Sequence, residues 1–396
     1  MGISFLFNPL KEGGSLMRLR RNEEELVQAS IRLIRLNQHP EGGYVACPLF
    51  AHYAYGWLRD GSFVAYAMDT AGEHDSAALF YGWASRIIAS KQGHIRYLTE
   101  KQARGEHVAL HEFLHTRYHL DGRDDTSSEW GHFQLDGYGA WLWGVTEHLR
   151  AVGSDRIPET YRNSVDAAVD YLRAFWRYPN FDCWEEYGEH VHPSTLACIY
   201  GGLEGVARLD DNAELHQVCS EIKDFLLQHG VHSEDGHFVK NITPVPREHS
   251  PAYVTGYAGV DASLLWLAEP FRMFDPQHPV MRKTIEAIGR ELRSESGGVR
   301  RYVSDTYYGG GEWLLLAAWY GLVRLRMGDR EEAVCSLEWI ASQADELGRF
   351  PEQVRRPHGG EEAYDDWVRR WGPPATPLLW SHAMFMVLYY KLRAKL

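Results

Sequence analysis

Apolar residues recur at three-to-four spacing along most of the 396-residue chain, the period of helices that bury one face. The clearest run is EEELVQASIRLIRL over 23–36. The same spacing predicts helices over 62–71, 74–90, 134–152, 158–176, 194–208, 212–229, 259–268, 279–293, 312–326, 330–345 and 376–394. Cap-type residues Ser194, Asp211 and Asn212 mark several starts, and Pro158 and Pro377 suit first-turn positions. Strand signals are few, and GHFVKNITPV over 236–245 predicts a surface hairpin.

The segments between these helices alternate in character. Before every second helix lies a loop dense in Trp, Tyr, Gly and charge: YAYGWLRDGS (53–62), SSEWGHFQLDGYG (127–139), FDCWEEYGEH (181–190), YVTGYAGVDAS (253–263), RRYVSDTYYGGGEW (300–313) and the stretch 351–380. The intervening loops, such as AGEHDS and RLDDN, are plain. Six rich loops alternating with six plain ones predict six helical hairpins closed into an all-α (α/α)6 barrel. The rich loops then converge at one mouth, where the inner helix N-termini point positive dipoles. Spacing between them is too irregular for a solenoid repeat.

Composition narrows the chemistry. The formal net charge is −13, which disfavours nucleic acid and anionic membranes as partners. No apolar run of about 18 residues is present to span a bilayer. Five cysteines with no CxxC spacing argue for a reducing, cytoplasmic setting and against a disulfide framework or zinc knuckle. The 14 Trp and 22 Tyr suit a core and also suit stacking on sugar faces. Lys11-Glu12-Gly13-Gly14 can be encoded by a purine-rich run of the ribosome-binding type just ahead of Met17. Residues 1–16 are therefore expected to be a disordered leader or a mis-assigned start, with 17–396 forming one catalytic barrel.

Within the rich loops, Trp184-Glu185-Glu186-Tyr187-Gly188-Glu189 crowds three carboxylates beside apolar cover, which pushes a carboxyl pKa up toward that of a general acid. Glu352, in Phe350-Pro351-Glu352-Gln353, is the second carboxylate of interest, whereas Glu361 and Glu362 read as surface charge. A carboxylate pair in a sugar-sized pocket is the apparatus of glycoside hydrolysis. Arg59-Asp60 suits a clamp on adjacent hydroxyls.

These segments resemble, in order, the motifs of glycoside hydrolase family 15, the glucoamylase family. Tyr53-x3-Trp57-x-Arg59-Asp60 resembles the part that holds the non-reducing-end sugar. Trp130-Gly131-x2-Gln134-x-Asp136-Gly137 resembles the part whose Trp lines the sugar subsites. Trp184-Glu185-Glu186 resembles the general-acid motif, which implies Glu185 as acid and Glu186 as a leaving-group contact. Arg301-Tyr302-x2-Asp305-Thr306-Tyr307-x2-Gly310-x2-Trp313 resembles the substrate loop, and Pro351-Glu352-Gln353 the general-base motif. Pro377-Leu378-x-Trp380-Ser381-His382-Ala383 resembles the closing helix. The resemblance implies an inverting exo-hydrolase that releases β-D-glucose, with no cofactor and no catalytic metal. The implied substrate contacts are Tyr53, Trp57, Arg59, Asp60, Trp130, Glu186, Arg301, Asp305 and Trp313.

The first predicted helix begins near Glu23, so neither an N-terminal β-sandwich nor a starch-binding module is expected. That layout is most similar to the isomaltose glucohydrolases and favours short α-1,6 oligosaccharides. Glucoamylase action on α-1,4 chains and trehalase action remain the enzyme alternatives. A carbohydrate-sensing barrel and a histidine-dependent epimerase are the readings from other classes, and oligomeric state stays open. His111-Glu112-Phe113-Leu114-His115 matches HExxH, but it lacks a third ligand at the usual spacing and reads as a polar helix face. Trp141, Trp143, Trp266 and Trp319 read as core, Trp57, Trp130, Trp184 and Trp313 as sugar platforms, and His382 as a hydrogen-bonded helix residue.

Overall fold

The computed structural model describes residues 22–125, 130–246, 252–356 and 358–394. The expected leader and the start at Met17 fall outside the described residues. The helices are α1 (Glu23–Leu36), α2 (Leu58–Thr70), α3 (His74–Ser90), α4 (Gln92–Ala103), α5 (Asp136–Ala151), α6 (Glu159–Phe175), α7 (Pro193–Asp210), α8 (Ala213–His229), α9 (Pro279–Glu291), α10 (Leu314–Arg326), α11 (Arg330–Ser342), α12 (Glu361–Trp371) and α13 (Leu379–Arg393). A 3-10 helix, Ala262–Leu267, stands where the periodicity predicts an α-helix over 259–268.

Two concentric layers follow from the packing. The inner ring runs α2, α5, α7, the 3-10 helix, α10 and α13, and α13 packs back on α2 to close it. Outer helices α1, α3, α6, α8, α9 and α11 each lie against that ring. The chain is thus an (α/α)6 barrel. Inner helices are buried nearly all round, whereas outer α1, α6 and α9 bury one stripe. The barrel axis is filled by aromatic rings: Phe63 packs against Trp266, Trp319 and Trp380 at centroid distances of 5.4, 5.6 and 5.2 Å. Trp141, Trp143, Trp266 and Trp319 are core residues, as the helical period indicates.

Three expectations need correction. The hairpin is formed by β1 (Ile242–Val245) and β2 (Ala252–Thr255), so 236–241 is not its first strand. Residues 110–112 form a 3-10 turn rather than a helix face, and Glu112 accepts hydrogen bonds from Lys101 Nζ and the Ala109 amide. The segment 351–380 is not one loop, because α12 rises inside it with Tyr364, Trp367, Val368 and Trp371 on one helical stripe. Among the described residues, no helix is long and apolar enough to cross a membrane.

The closest inner contact rests on two glycines. A Cβ on Gly202 of α7 would lie 2.6 Å from the Gly139 carbonyl oxygen of α5. A backbone neighbour cannot yield as a flexible side chain does, so Gly202→Ala must spread the helices at a cost of about 1–3 kcal/mol. Calorimetry is expected to show a melting temperature several degrees lower for G202A. An unchanged melting temperature would contradict this packing.

Candidate active site

Five of the six rich loops meet at one end of the ring, at the N-termini of the inner helices, and enclose a cavity of about 410 Å³. The loop 253–263 gives no wall residue and stands behind it, where Asp261 holds the Trp184 indole and Lys240. Two short antiparallel ladders shape its rim. Gly56–Trp57 pairs with Arg117–Tyr118, and Glu312–Trp313 pairs with Gln353–Val354. Trp57 and Trp313 are the caps from which α2 and α10 begin, so each ring is fixed by a ladder on one side and a helix on the other.

Glu185 lies in a tight turn. Its backbone is left-handed, with φ of 65°, an uncommon conformation for a residue other than glycine. Asp182 holds that turn: its Oδ1 accepts the amides of Trp184 and Glu186, each at 2.9 Å. Buried Lys240 donates to Asp182 at 3.1 Å and to Asp261 at 2.6 Å. Asp261 also accepts the Trp184 indole N–H. Burial alone would raise the Asp182 pKa, but Lys240 and the amide donors overcome it and hold the group below the usual carboxylate range.

The Glu185 carboxylate is half-buried. Its Oε1 accepts the Trp57 indole N–H at 2.8 Å and the Gln134 amide at 3.0 Å. Arg59 stands 3.9 Å away. Gln134 also accepts from Arg59 at 2.8 Å, so it joins the two. Arg59 pairs with Asp136 at 3.0 Å and Asp60 at 3.3 Å. Burial opposes its charge, and the three surrounding carboxylates outweigh that. Burial pushes the Asp60 carboxyl up to about 6 despite Arg59 beside it.

Glu352 is fully within the wall. It accepts hydrogen bonds from the Tyr53 and Tyr307 hydroxyls at 3.1 and 3.2 Å, and the two hydroxyls touch each other at 3.1 Å. Burial pushes its pKa up to about 7, and the two phenols only partly offset this. Its backbone is anchored through the Ala375 carbonyl at 2.8 Å. Two residues earlier, the Phe350 amide donates to His382 Nε2 at 2.9 Å. His382 Nδ1 lies 2.8 Å from Ser30 Oγ, whose proton goes to the Leu26 carbonyl, so the imidazole donates there. Burial holds that ring neutral, with a pKa of about 3, as a helix residue that braces the segment.

Tyr53 and Trp57 touch edge-on at 5.7 Å between ring centroids. The same five-residue segment therefore carries one donor for each carboxylate. On a third side, Arg301 donates to Asp305 at 2.8 and 2.5 Å and to Glu186 at 3.1 Å. Tyr302 donates to Glu186 at 2.6 Å.

Of the expected residues, Tyr53, Trp57, Arg59, Asp60, Trp130, Glu185, Glu186, Arg301, Trp313 and Glu352 all line the cavity, as does Trp184. Asp305 does not: it sits behind Arg301 and fixes that guanidinium. The sequence reading did not single out Tyr307, which lay within a quoted motif. It also missed Trp367 and Trp371, which reach the cavity from α12 and were detectable from that helix's apolar stripe. Lys240 went unnoticed because it stands between Val239 and Ile242 in what reads as an exposed strand.

The chain is similar to known proteins. An isomaltose glucohydrolase of Kribbella flavida is 40% identical over 373 residues, which cover 92% of this chain and 91% of that protein. A solved wild-type glycosidase of 38% identity superposes with a TM-score of 0.85, covering 94% of this chain and 97% of its own, and a single-residue glycosidase variant of the same identity and TM-score has been solved in complex with glucose. A bacterial glucoamylase complexed with acarbose shares the fold at a TM-score of 0.68, with 16% identity over 94% of this chain and 56% of its own. Residues 21–336 match the family described as glycosyl hydrolases family 15, and the chain belongs to that family of glycoside hydrolases.

Proposed function

We propose that residues 17–396 form one catalytic barrel that hydrolyses isomaltose and short α-1,6 gluco-oligosaccharides from the non-reducing end, with inversion. The observation that carries this reading is the pair Glu185 and Glu352. Both line one cavity, and each is held by its own donor from the Tyr53–Trp57 segment. The name and near-complete coverage of the Kribbella flavida relative support the α-1,6 substrate.

In this mechanism Glu185 protonates the glycosidic oxygen as the bond to C1 breaks. Glu352 removes a proton from the water that attacks C1 from the opposite face. The raised pKa of Glu352 makes it a stronger base once ionised, and among the described residues its carboxylate is held by phenols with no cation within ion-pair distance. Arg59 and Asp60 present fixed donors and acceptors to the hydroxyls of the terminal glucose, with Tyr53, Trp57 and Trp130 shaping its walls. Glu186 and Arg301 face the leaving sugar, Asp305 orients Arg301, and Trp313 completes that wall.

Glucose release from isomaltose, panose, maltose, trehalose and soluble starch at equal concentrations tests the substrate. Isomaltose is expected to be the fastest, and preference for maltose or starch would overturn the linkage. Glu185→Gln and Glu352→Gln are each expected to lower kcat by several orders of magnitude with the far-ultraviolet spectrum unchanged. Near-normal turnover in either variant would remove its assigned role.

Activity is expected to fall as pH drops through the Glu352 ionisation, because the protonated carboxyl cannot act as base. Tyr307→Phe deletes a donor that favours the ionised form. The acidic limb of its kcat/KM profile is expected to move to higher pH, and an unmoved limb would contradict this role for Tyr307.

The same burial has a stability consequence. The folded-state pKa lies above the unfolded value of 4.5, so folding is weakened as pH rises from 4.5 to about 7 and the penalty is full above that. Glu352→Gln removes it, a gain of at most about 3 kcal/mol. The variant is expected to melt above the parent at pH 8 and level with it at pH 4. A lower melting temperature at pH 8 would contradict this.

A further inference from the structure

Away from the cavity, one group of ligand-type side chains converges among the described residues: His232, Asp235 and His237, in the loop between α8 and β1. Their candidate ligand atoms all lie within 4.8 Å of one another. The sequence drew attention to HExxH instead, but Lys101 occupies the Glu112 carboxylate of that motif.

The geometry of the group is specific. His237 is only 8% exposed in side chain. Its Nδ1 donates to the Phe238 carbonyl at 2.9 Å, which fixes the tautomer and leaves the Nε2 lone pair free. Metal-ligating histidines are oriented by this kind of bond from the far ring nitrogen. That Nε2 lies 3.7 Å from Asp235 Oδ2. His232 Nδ1 accepts the Asp235 amide at a long 3.2 Å, a bond that a cation on this nitrogen would replace, and the Asp235 carboxylate stands 2.9 Å from the same nitrogen. The two imidazoles are nearly parallel, at 10°.

The loop is already in shape for this. His232 donates its amide to the His237 carbonyl at 2.8 Å, and Gly236 reverses the chain at φ of 73°. The Phe238 amide is tied to Thr284 Oγ1 of α9 at 2.9 Å.

We propose that His232, Asp235 and His237 form a zinc site, with water completing a tetrahedral shell. Zn–N and Zn–O bonds of about 2.0–2.2 Å set ligand atoms about 3.3 Å apart. The observed 2.9 and 3.7 Å separations bracket that value. Two imidazoles and one carboxylate suit zinc and its late first-row neighbours and do not suit calcium or magnesium, which take oxygen ligands. Exposed Lys283, which donates to the Asp235 carbonyl at 3.0 Å, opposes the cation but is screened by solvent. The site is structural: the loop it closes leads directly into Lys240, which braces the Glu185 turn.

The test is titration of the full chain, stripped with chelator, with Zn2+ by calorimetry and with Co2+ by visible absorption. One saturating equivalent is expected, with tetrahedral Co2+ bands and a raised melting temperature in Zn2+. Asp235→Asn and His237→Ala are each expected to weaken binding tenfold or more while glucose release stays at the parent rate. Asp235 is exposed, so its variant keeps the test open if His237→Ala fails to fold. Absence of a saturating equivalent, or binding equally tight in Asp235→Asn, would overturn the site.

Discussion

Charge buried at the mouth of a closed helical ring is the constraint on which the catalytic end of this protein depends. Each ionised group there must find a partner, and the partners come from different loops. Arg59 on α2 meets Asp136 on α5, Lys240 joins Asp182 to Asp261, and Arg301 ties Asp305 to Glu186. These pairs and the Gln134–Glu185 bond tie five of the six rich loops to one another, and the segment 351–380 joins them through the Gln353–Val354 ladder and the phenols on Glu352. Glu352 is the exception: among the described residues its partners are two phenols and no cation within ion-pair distance. Its raised pKa follows from that difference.

The two carboxylates also differ in backbone. Glu185 sits at the left-handed position of a turn that Asp182 and Lys240 hold in place, and it accepts from a rigid indole. Glu352 sits at the start of a short ladder strand and accepts from hydroxyls that can rotate. One group is fixed in direction. The other is held by two phenols. That division suits proton donation to a bridging oxygen on one side and proton removal from a mobile nucleophile on the other.

Much of this was legible in the chain. Inner helices α2, α5, α7, α10 and α13 were readable because ring burial demands long apolar runs. The rich loops were readable because a polar, aromatic cavity demands their composition. The 3-10 helix at Ala262–Leu267 was not, since a buried six-residue run looks the same in either helical form. Helix α12 was hidden by its acidic first turn, which resembles a solvated loop although its Trp367 and Trp371 face the cavity. Lys240 could not be found locally, because its meaning comes from Asp182 and Asp261, 58 and 21 residues away. Asp305 was grouped with the substrate contacts because the motif places it beside Arg301. Only three dimensions separate a residue that touches the cavity from one that orients its neighbour.

The proposed division of labour between Glu185 as acid and Glu352 as base has one direct stereochemical consequence. Proton NMR of the first glucose released from isomaltose, recorded before mutarotation, reads it. The β-anomer is the predicted product, since water activated by Glu352 enters opposite the departing sugar. Initial release of the α-anomer would mean that C1 is attacked twice, and that Glu185 and Glu352 do not work as proposed.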